Sequence, residues 1–182
     1  MNVLEAINRR KSVRDYLDYE IDEKDVKSIV DSGGKAPKAG SFQITVVTNK
    51  ELLNKINNYT IEGMKNSGND FFAEKANTPG YNPLYSAPLV IFFSAPDENV
   101  FGALTVSAAA ENAILAATAL GYGTCYLVSP TFAFQTSAKD ELIKELQLPH
   151  SFNPICAISI GKEGENNITN PQEEIDNVNF VK

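Results

Sequence analysis

Six consecutive residues near the start of the chain, Arg9, Arg10, Lys11, Ser12, Val13 and Arg14, gather four cations and a hydroxyl. The density is notable because the 182-residue chain is acidic, with 16 Lys and Arg against 23 Asp and Glu and a net charge of −7. A phosphate monoester is nearly dianionic at neutral pH, and guanidinium forks, a serine hydroxyl and turn amides are the groups that bind it well. If the preceding helix ends near Lys11, Arg10, Ser12 and Arg14 fall in the following turn and converge on one anion. The same run also reads as a solvated helix C-terminus, where the helix dipole favours cations.

Other reactive residue types suggest less. Cys125 and Cys156 sit in apolar runs without a CxxC pair, and His150 is the single histidine, so the spacing offers no N/S metal site. Cys125 falls on a predicted buried strand and reads as a core thiol rather than a redox nucleophile. Tyr81 and Tyr85 either cover a pocket or fill one. Glu111-Asn112 interrupts an Ala-rich helix and is expected to hydrogen-bond to a loop or a partner subunit. No acid–base dyad is recognisable.

Composition narrows the class. Apolar residues make up 43%, charged residues 21%, and 11 Gly with 9 Pro exclude collagen-like and low-complexity chains. At ~150 residues per domain one domain is expected over 1–182, long enough to bury roughly 70% of its unfolded surface. The negative charge argues against nucleic-acid binding. The charged N-terminus lacks a signal-peptide core. Ala87 to Ala95 is too short to span a bilayer, and Ala103 to Gly121 is broken by Glu111-Asn112, where ~20 apolar residues are needed. No membrane segment and a cytoplasmic location are expected.

The elements that must position these residues follow from pattern. Asn2, with Glu5 three residues on, caps a first helix carrying Val3, Leu4 and Ile7. A second begins at Asp22, carries Val26, Ile29 and Val30, and stops at Gly33-Gly34, expected to form a left-handed cap. Phe42 to Thr48 reads as a strand, followed by a short helix with Leu52, Leu53 and Ile56. Asn57 to Tyr85 shows no sustained period and suggests a pocket-lining excursion. Leu89 to Phe93 is a buried strand, and Ala103 to Gly121 a helix enclosed by the core or a subunit interface. Tyr122 to Val128 and Ile155 to Ile160 add strands, separated by a helix capped around Ser137 that presents Leu142, Ile143 and Leu146. Gly121 and Gly123 suggest close packing between the buried helix and the next strand. The acidic, Asn-rich tail 163–182 ends in the strand-like Val178 to Val181 and suggests a docked arm, on this chain or a partner subunit. The pattern is α+β, a sheet with helices packed on it.

Three segments also carry a resemblance. Arg10-Lys11-Ser12-Val13-Arg14, followed by Asp15-Tyr16, resembles the RRSxR-x-F/Y opening of the FMN-dependent nitroreductase family. Ala36 to Gln43 resembles that family's APSxxNxQPW loop, and Ala116 to Tyr126 its LAAxxLGLGxCWI segment. The motifs fall in the family's order and span most of the chain.

The resemblance implies a mixed, mostly antiparallel sheet flanked by helices, in a homodimer with an extended C-terminal arm. It implies FMN as cofactor and NADH or NADPH as reductant, with a hydride passed through flavin N5 to a nitroaromatic, quinone or similar small-molecule acceptor in ping-pong fashion. Arg10, Lys11 and Ser12 would hold the phosphate and ribityl chain, and Arg14 the pyrimidine edge, where a cation stabilises reduced flavin. Pro37, Lys38, Ala39, Ser41 and Gln43 would contact the ring system, partly across the dimer interface. Leu127, Val128 and Ser129 would lie along the flavin. Lys162 is the substitute for a C-terminal cation the family often supplies, and Asn82 stands as a pocket residue. Ser41 replaces a common Asn, and Ile44-Thr45 replaces Pro-Trp. Two other readings stay open: a flavin-binding or redox-sensing protein with little turnover, and a flavin-free dimeric interaction domain.

Overall fold

The computed structural model of the chain describes residues 1–167 and 177–182. Its α+β architecture is one four-stranded sheet with helices on both faces. The elements are α1 (Val3–Arg9), α2 (Glu23–Gly34), β1 (Gln43–Val47), α3 (Lys50–Lys65), α4 (Asp70–Asn77), β2 (Leu89–Pro96), α5 (Gly102–Ala119), β3 (Gly123–Leu127), a 3₁₀ helix (Ser129–Gln135), α6 (Lys139–Glu145) and β4 (Phe152–Gly161). The strand order is β1-β2-β4-β3, and all three pairings are antiparallel. The one parallel element beside it is an isolated bridge between Ser12 and Thr124.

Strand β2 is apolar throughout because both of its faces are covered. Leu89, Ile91 and Phe93 join α2 and α5 in one core, with Ala109, Ala113, Cys156, Ile158 and Ile160. Val90 and Phe92 point the other way, into a second core with Ile56, Phe134, Leu142, Cys125 and Ala157. The two-residue period of a strand thus serves two layers at once. Helix α5 runs through the first layer, and its alanines let neighbours approach: a Cβ on Gly33 of α2 would stand 3.1 Å from the Ala109 carbonyl oxygen. Asn112 Nδ2 donates to the Ser32 carbonyl at 3.2 Å, a bond to helix α2 rather than to the loop or partner subunit expected of the polar pair, while Glu111 is exposed.

Several local expectations are corrected. Gly33 and Gly34 form no left-handed cap: both lie inside α2, which stops at Lys35 with φ −87°, and Gly33 serves the helix crossing instead. The short third helix is 16 residues long, because Ile56, Thr60, Gly63 and Met64 make a buried stripe hidden in sequence by intervening Asn and Glu. It therefore enters the 57–85 excursion, which also holds α4. Helix α6 starts at Ala138 without a side-chain cap, and the Thr136 hydroxyl accepts the Ala138 N–H at 3.2 Å. Residues 177–182 are irregular and exposed rather than a strand; the middle of the tail lies outside the described residues. Among the described residues no helix is long and apolar enough to cross a membrane.

Candidate flavin site

Helix α1 begins with the capping box expected of Asn2 and Glu5, and ends at Arg10, whose extended backbone (φ −57°, ψ 129°) turns the chain alongside β3. The Val13 N–H donates to the Thr124 carbonyl at 2.8 Å, which fixes the basic run against the strand. Gly123 makes this possible: an added Cβ would meet three Val13 side-chain atoms at 2.8 to 3.0 Å. Its role is thus to admit the N-terminal run, not to pack a helix on a strand. Gly121, at φ +84°, forms the turn between α5 and β3.

Alternate residues of an extended segment face opposite ways. Ser12, Arg14 and Arg10 all act on the Cys125 thiol, whose pKa is pushed up chiefly by burial and drawn back first by the Arg14 charge, then by Ser12 and the more distant cations. Lys11 lies in a second cleft of about 240 Å³, shared with Arg9, Arg10, Thr118, Gly121, Tyr122 and Glu163. There its ammonium is 2.5 Å from a Glu163 carboxylate oxygen. Arg10 lines this cleft as well.

The turn that carries Arg14 is clasped by residues far away in sequence. The Asn167 side-chain oxygen accepts the N–H groups of Arg14 (2.6 Å) and Asp15 (3.0 Å), while its amide nitrogen donates to the Asp15 carbonyl at 2.8 Å. The Gly164 N–H donates to that same carbonyl at 2.9 Å. From beneath, the Tyr16 hydroxyl donates to the Val13 carbonyl at 2.7 Å and lies 2.8 Å from the Ser159 hydroxyl. Burial holds the Tyr16 phenol far above its usual pKa, so it stays a neutral donor.

Facing Arg14 is a wall of tyrosines. Its guanidinium carbon stands 6.0 Å from the Tyr85 ring centroid. Tyr85 and Ser86 adopt left-handed φ values of 55° and 52°, which are strained for side chains with a Cβ. Asn82 stabilises the turn: its side-chain oxygen accepts the Leu84 N–H at 2.9 Å, its amide donates to Ser86 Oγ at 3.1 Å, and its carbonyl accepts the Tyr85 N–H at 3.0 Å. The expected pocket residue thus builds the bend that presents Tyr85, and it also lines a cavity of about 310 Å³ with Tyr16, Asn57 and Ser86. Tyr81 stands beside Tyr85 and Ser129, and burial raises the pKa of both phenols.

The remaining expected residues are spread over the loop before β1, the start of β1, the end of β3 and the end of β4. Pro37, Lys38, Ala39 and Ser41 are exposed in a loop anchored at the N-terminal end of α5, where the Ala39 N–H donates to Thr105 Oγ1 (3.0 Å) and Asn99 Nδ2 to the Ala39 carbonyl (2.9 Å). Gln43 begins β1, and its amide reaches only the Ile44 carbonyl, at 3.4 Å. Leu127 is buried, Val128 is exposed, and Ser129 opens the 3₁₀ helix beside Tyr81. Because β1 and β3 are opposite edges of the sheet, Gln43 and Leu127 are separated by three strand spacings, ~14 Å. Lys162 is engaged at the rim of the Lys11 cleft: its Nζ donates to the Gly121 carbonyl at 3.3 Å and sits 4.1 Å from the Tyr122 ring centroid, two residues that line that cleft. Sequence reasoning missed Asn167. Its contact with Arg14 spans 153 residues, beyond any local pattern.

The donor set suits a phosphorylated flavin. Arg10 and Ser12 offer a charged fork and a hydroxyl to a phosphate, and Arg14 a cation to the electron-rich edge of a ring. Glu163 is the one carboxylate in the basic cleft, and its charge is matched by Lys11.

The Nitroreductase family model matches residues 7–162, and the chain belongs to that family. A protein of Methanothermobacter thermautotrophicus, named as a candidate NADH dehydrogenase/NAD(P)H nitroreductase, is 27% identical over all of this chain and 88% of its own length. Two solved nitroreductases with bound FMN share the fold at 22% identity over the whole of both chains: one from Bacteroides fragilis, TM-score 0.91, and one from Desulfitobacterium hafniense, TM-score 0.90.

Proposed function

We propose that the protein is an FMN-dependent NAD(P)H oxidoreductase, a single flavin-binding domain over 1–182 working as a cytoplasmic homodimer. The observation that supports this is the basic run held against β3 by the Val13 N–H, with the Arg14 guanidinium 6.0 Å from the Tyr85 ring centroid, in a member of the Nitroreductase family. FMN, when bound, supplies two-electron exchange between a reduced nicotinamide and an acceptor. For a nitro compound the balance is NAD(P)H plus a proton and R–NO₂ giving NAD(P)⁺, R–NO and water. A quinone instead takes both electrons and two protons to become the hydroquinone. Donor and acceptor take turns at one open face, which is ping-pong kinetics.

The chain's residues have distinct parts in this scheme. Arg10 and Ser12 hold the phosphate, with Lys11 joining them when it leaves Glu163. Arg14 stabilises negative charge on the reduced ring, and the Asn167 clasp with Tyr16 fixes the backbone from which Arg14 projects. Leu127, Val128 and Ser129 border the ring. No side chain acts as acid or base in this reading; the protein positions and tunes.

A second copy completes the site. Pro37, Lys38, Ala39, Ser41 and Gln43 reach the ring from the partner, since within one chain they lie at the far edge of the sheet. An exposed apolar stripe supports such a pairing: Val3 (69% exposed), Leu4 (71%) and Ile7 on α1, which packs on α5, together with Phe101 and Leu104 (70%). Val178, Phe180 and Val181 are likewise exposed and give the arm an apolar end to dock. Titrating purified protein with FMN, then adding NADH or NADPH without oxygen, tests the reading. Saturable binding, bleaching by the nicotinamide and recolouring by a nitroaromatic or quinone support it; a protein that takes up no flavin refutes it.

A further inference from the structure

Helix α4 brings to the cleft a cation that flavin binding leaves unused. Lys75, in its last turn, holds its ammonium 5.2 Å from the Tyr81 ring centroid, and no carboxylate pairs with it among the described residues. Lys75 stands over Tyr81 as Arg14 stands over Tyr85, and the two tyrosines lie four residues apart in one bend. Phe71 lies four residues earlier on α4, on the same helix face, and is 65% exposed. Its neighbour Phe72 ties the helix to the body through Phe132, with ring centroids 4.8 Å apart. The wall is also unmatched at one buried atom: the Tyr81 hydroxyl has no hydrogen-bond partner among the described residues.

Resting on the flavin reading, we infer that Phe71, Lys75 and Tyr81 form an acceptor subsite selective for anionic aromatic compounds, such as nitroarenes or quinones bearing a carboxylate or sulfonate. The aromatic faces match a planar acceptor, and Lys75 meets its charge. The selectivity follows from the rest of the molecule. At a net charge of −7 the protein repels anions at long range, so an anionic acceptor needs a local cation, and Arg10 and Arg14 are committed to the flavin. Lys75 sits on an ammonium's flexible stem, able to follow acceptors of different length.

The test isolates the oxidative half-reaction. FMN-loaded protein is reduced chemically without nicotinamide, and reoxidation is followed with 4-nitrobenzoate and with the neutral 4-nitrobenzamide at low ionic strength. The expected result is that Lys75→Gln slows reoxidation by the benzoate about tenfold and leaves the benzamide rate unchanged, that Lys75→Glu widens the gap, and that Lys75→Arg restores it. An unmoved ratio in a flavin-replete Lys75→Glu variant overturns this inference alone. Loss of FMN from Lys75→Gln also overturns it, by assigning the lysine to the cofactor. Failure of the unaltered protein to bind FMN overturns the flavin reading and this inference with it.

Discussion

The two ends of α5 are built on opposite plans. At its C-terminal end, the basic run is bonded to β3 by main chain, clasped by Asn167 and underpinned by Tyr16, so Arg10, Ser12 and Arg14 are positioned within one chain. At its N-terminal end, thirteen residues and ~20 Å away from Thr118 to Thr105, the loop 36–41 hangs on two side chains, Thr105 and Asn99, and its expected ligands are exposed. The difference is one of local anchoring: many main-chain bonds at one end, two side chains at the other. The charged end is preorganised within the chain, and under the proposed function the exposed loop at the other end would be completed by a second copy.

The largest effect expected from breaking this comparison is at the preorganised end. Arg10→Ala with Arg14→Ala should weaken FMN binding by about 3 to 6 kcal/mol, since charge-assisted contacts contribute about 1.5 to 3 kcal/mol each; a fluorescence titration measures it. Coexpression with a chain whose loop is disrupted by Gly40→Val sharpens the point, because a Cβ there would stand 2.7 Å from Asn99 Nδ2. If the site is shared between copies, mixed dimers regain one complete flavin site that neither variant has alone. Gly123→Val forces Val13 away from β3 without altering any charge. It should cost about 3 kcal/mol of stability, read by denaturant unfolding, and loosen flavin with it.

Midway along α5, Tyr126 reaches the Ser107 hydroxyl at 3.2 Å, and beneath it Cys156 is pushed up by burial to about 11 from an ordinary value near 9. An acid held neutral in the folded state keeps its proton between those values while the unfolded chain has lost it. Stability should therefore fall as pH rises from 9 to 11, by on the order of 2 kcal/mol for Cys156. Cys156→Ala should flatten that part of a stability profile. The smallest effect belongs to the open end: Thr105→Val removes the acceptor for the Ala39 N–H and should cost about 1 kcal/mol or less of stability. If the comparison holds, it lowers flavin affinity only in the dimer.

Much of the fold was legible. The capping box at Asn2, the buried β2 and the alanine-rich α5 express themselves through local pattern, because capping and burial leave short-range signatures. Where the reading slipped, tertiary context had overridden it. The helix ends at Gly34 as the glycine pair predicts, but without a left-handed cap, and Gly33 is required instead by the Ala109 carbonyl of another helix. The long α3 was hidden because one buried face among Asn and Glu leaves a weak period.

At the site, residue types alone determined that four cations and a serine gather in an acidic chain, which is enough to suggest an anion. Only the tertiary structure decided that Arg14 faces Tyr85, that Lys11 is matched by Glu163, that Lys162 turns to Tyr122, and that Asn167 holds the Arg14 turn. The physical reason is that charge and hydroxyl chemistry belong to each side chain, whereas convergence is a property of backbone direction, set here by hydrogen bonds between segments more than a hundred residues apart.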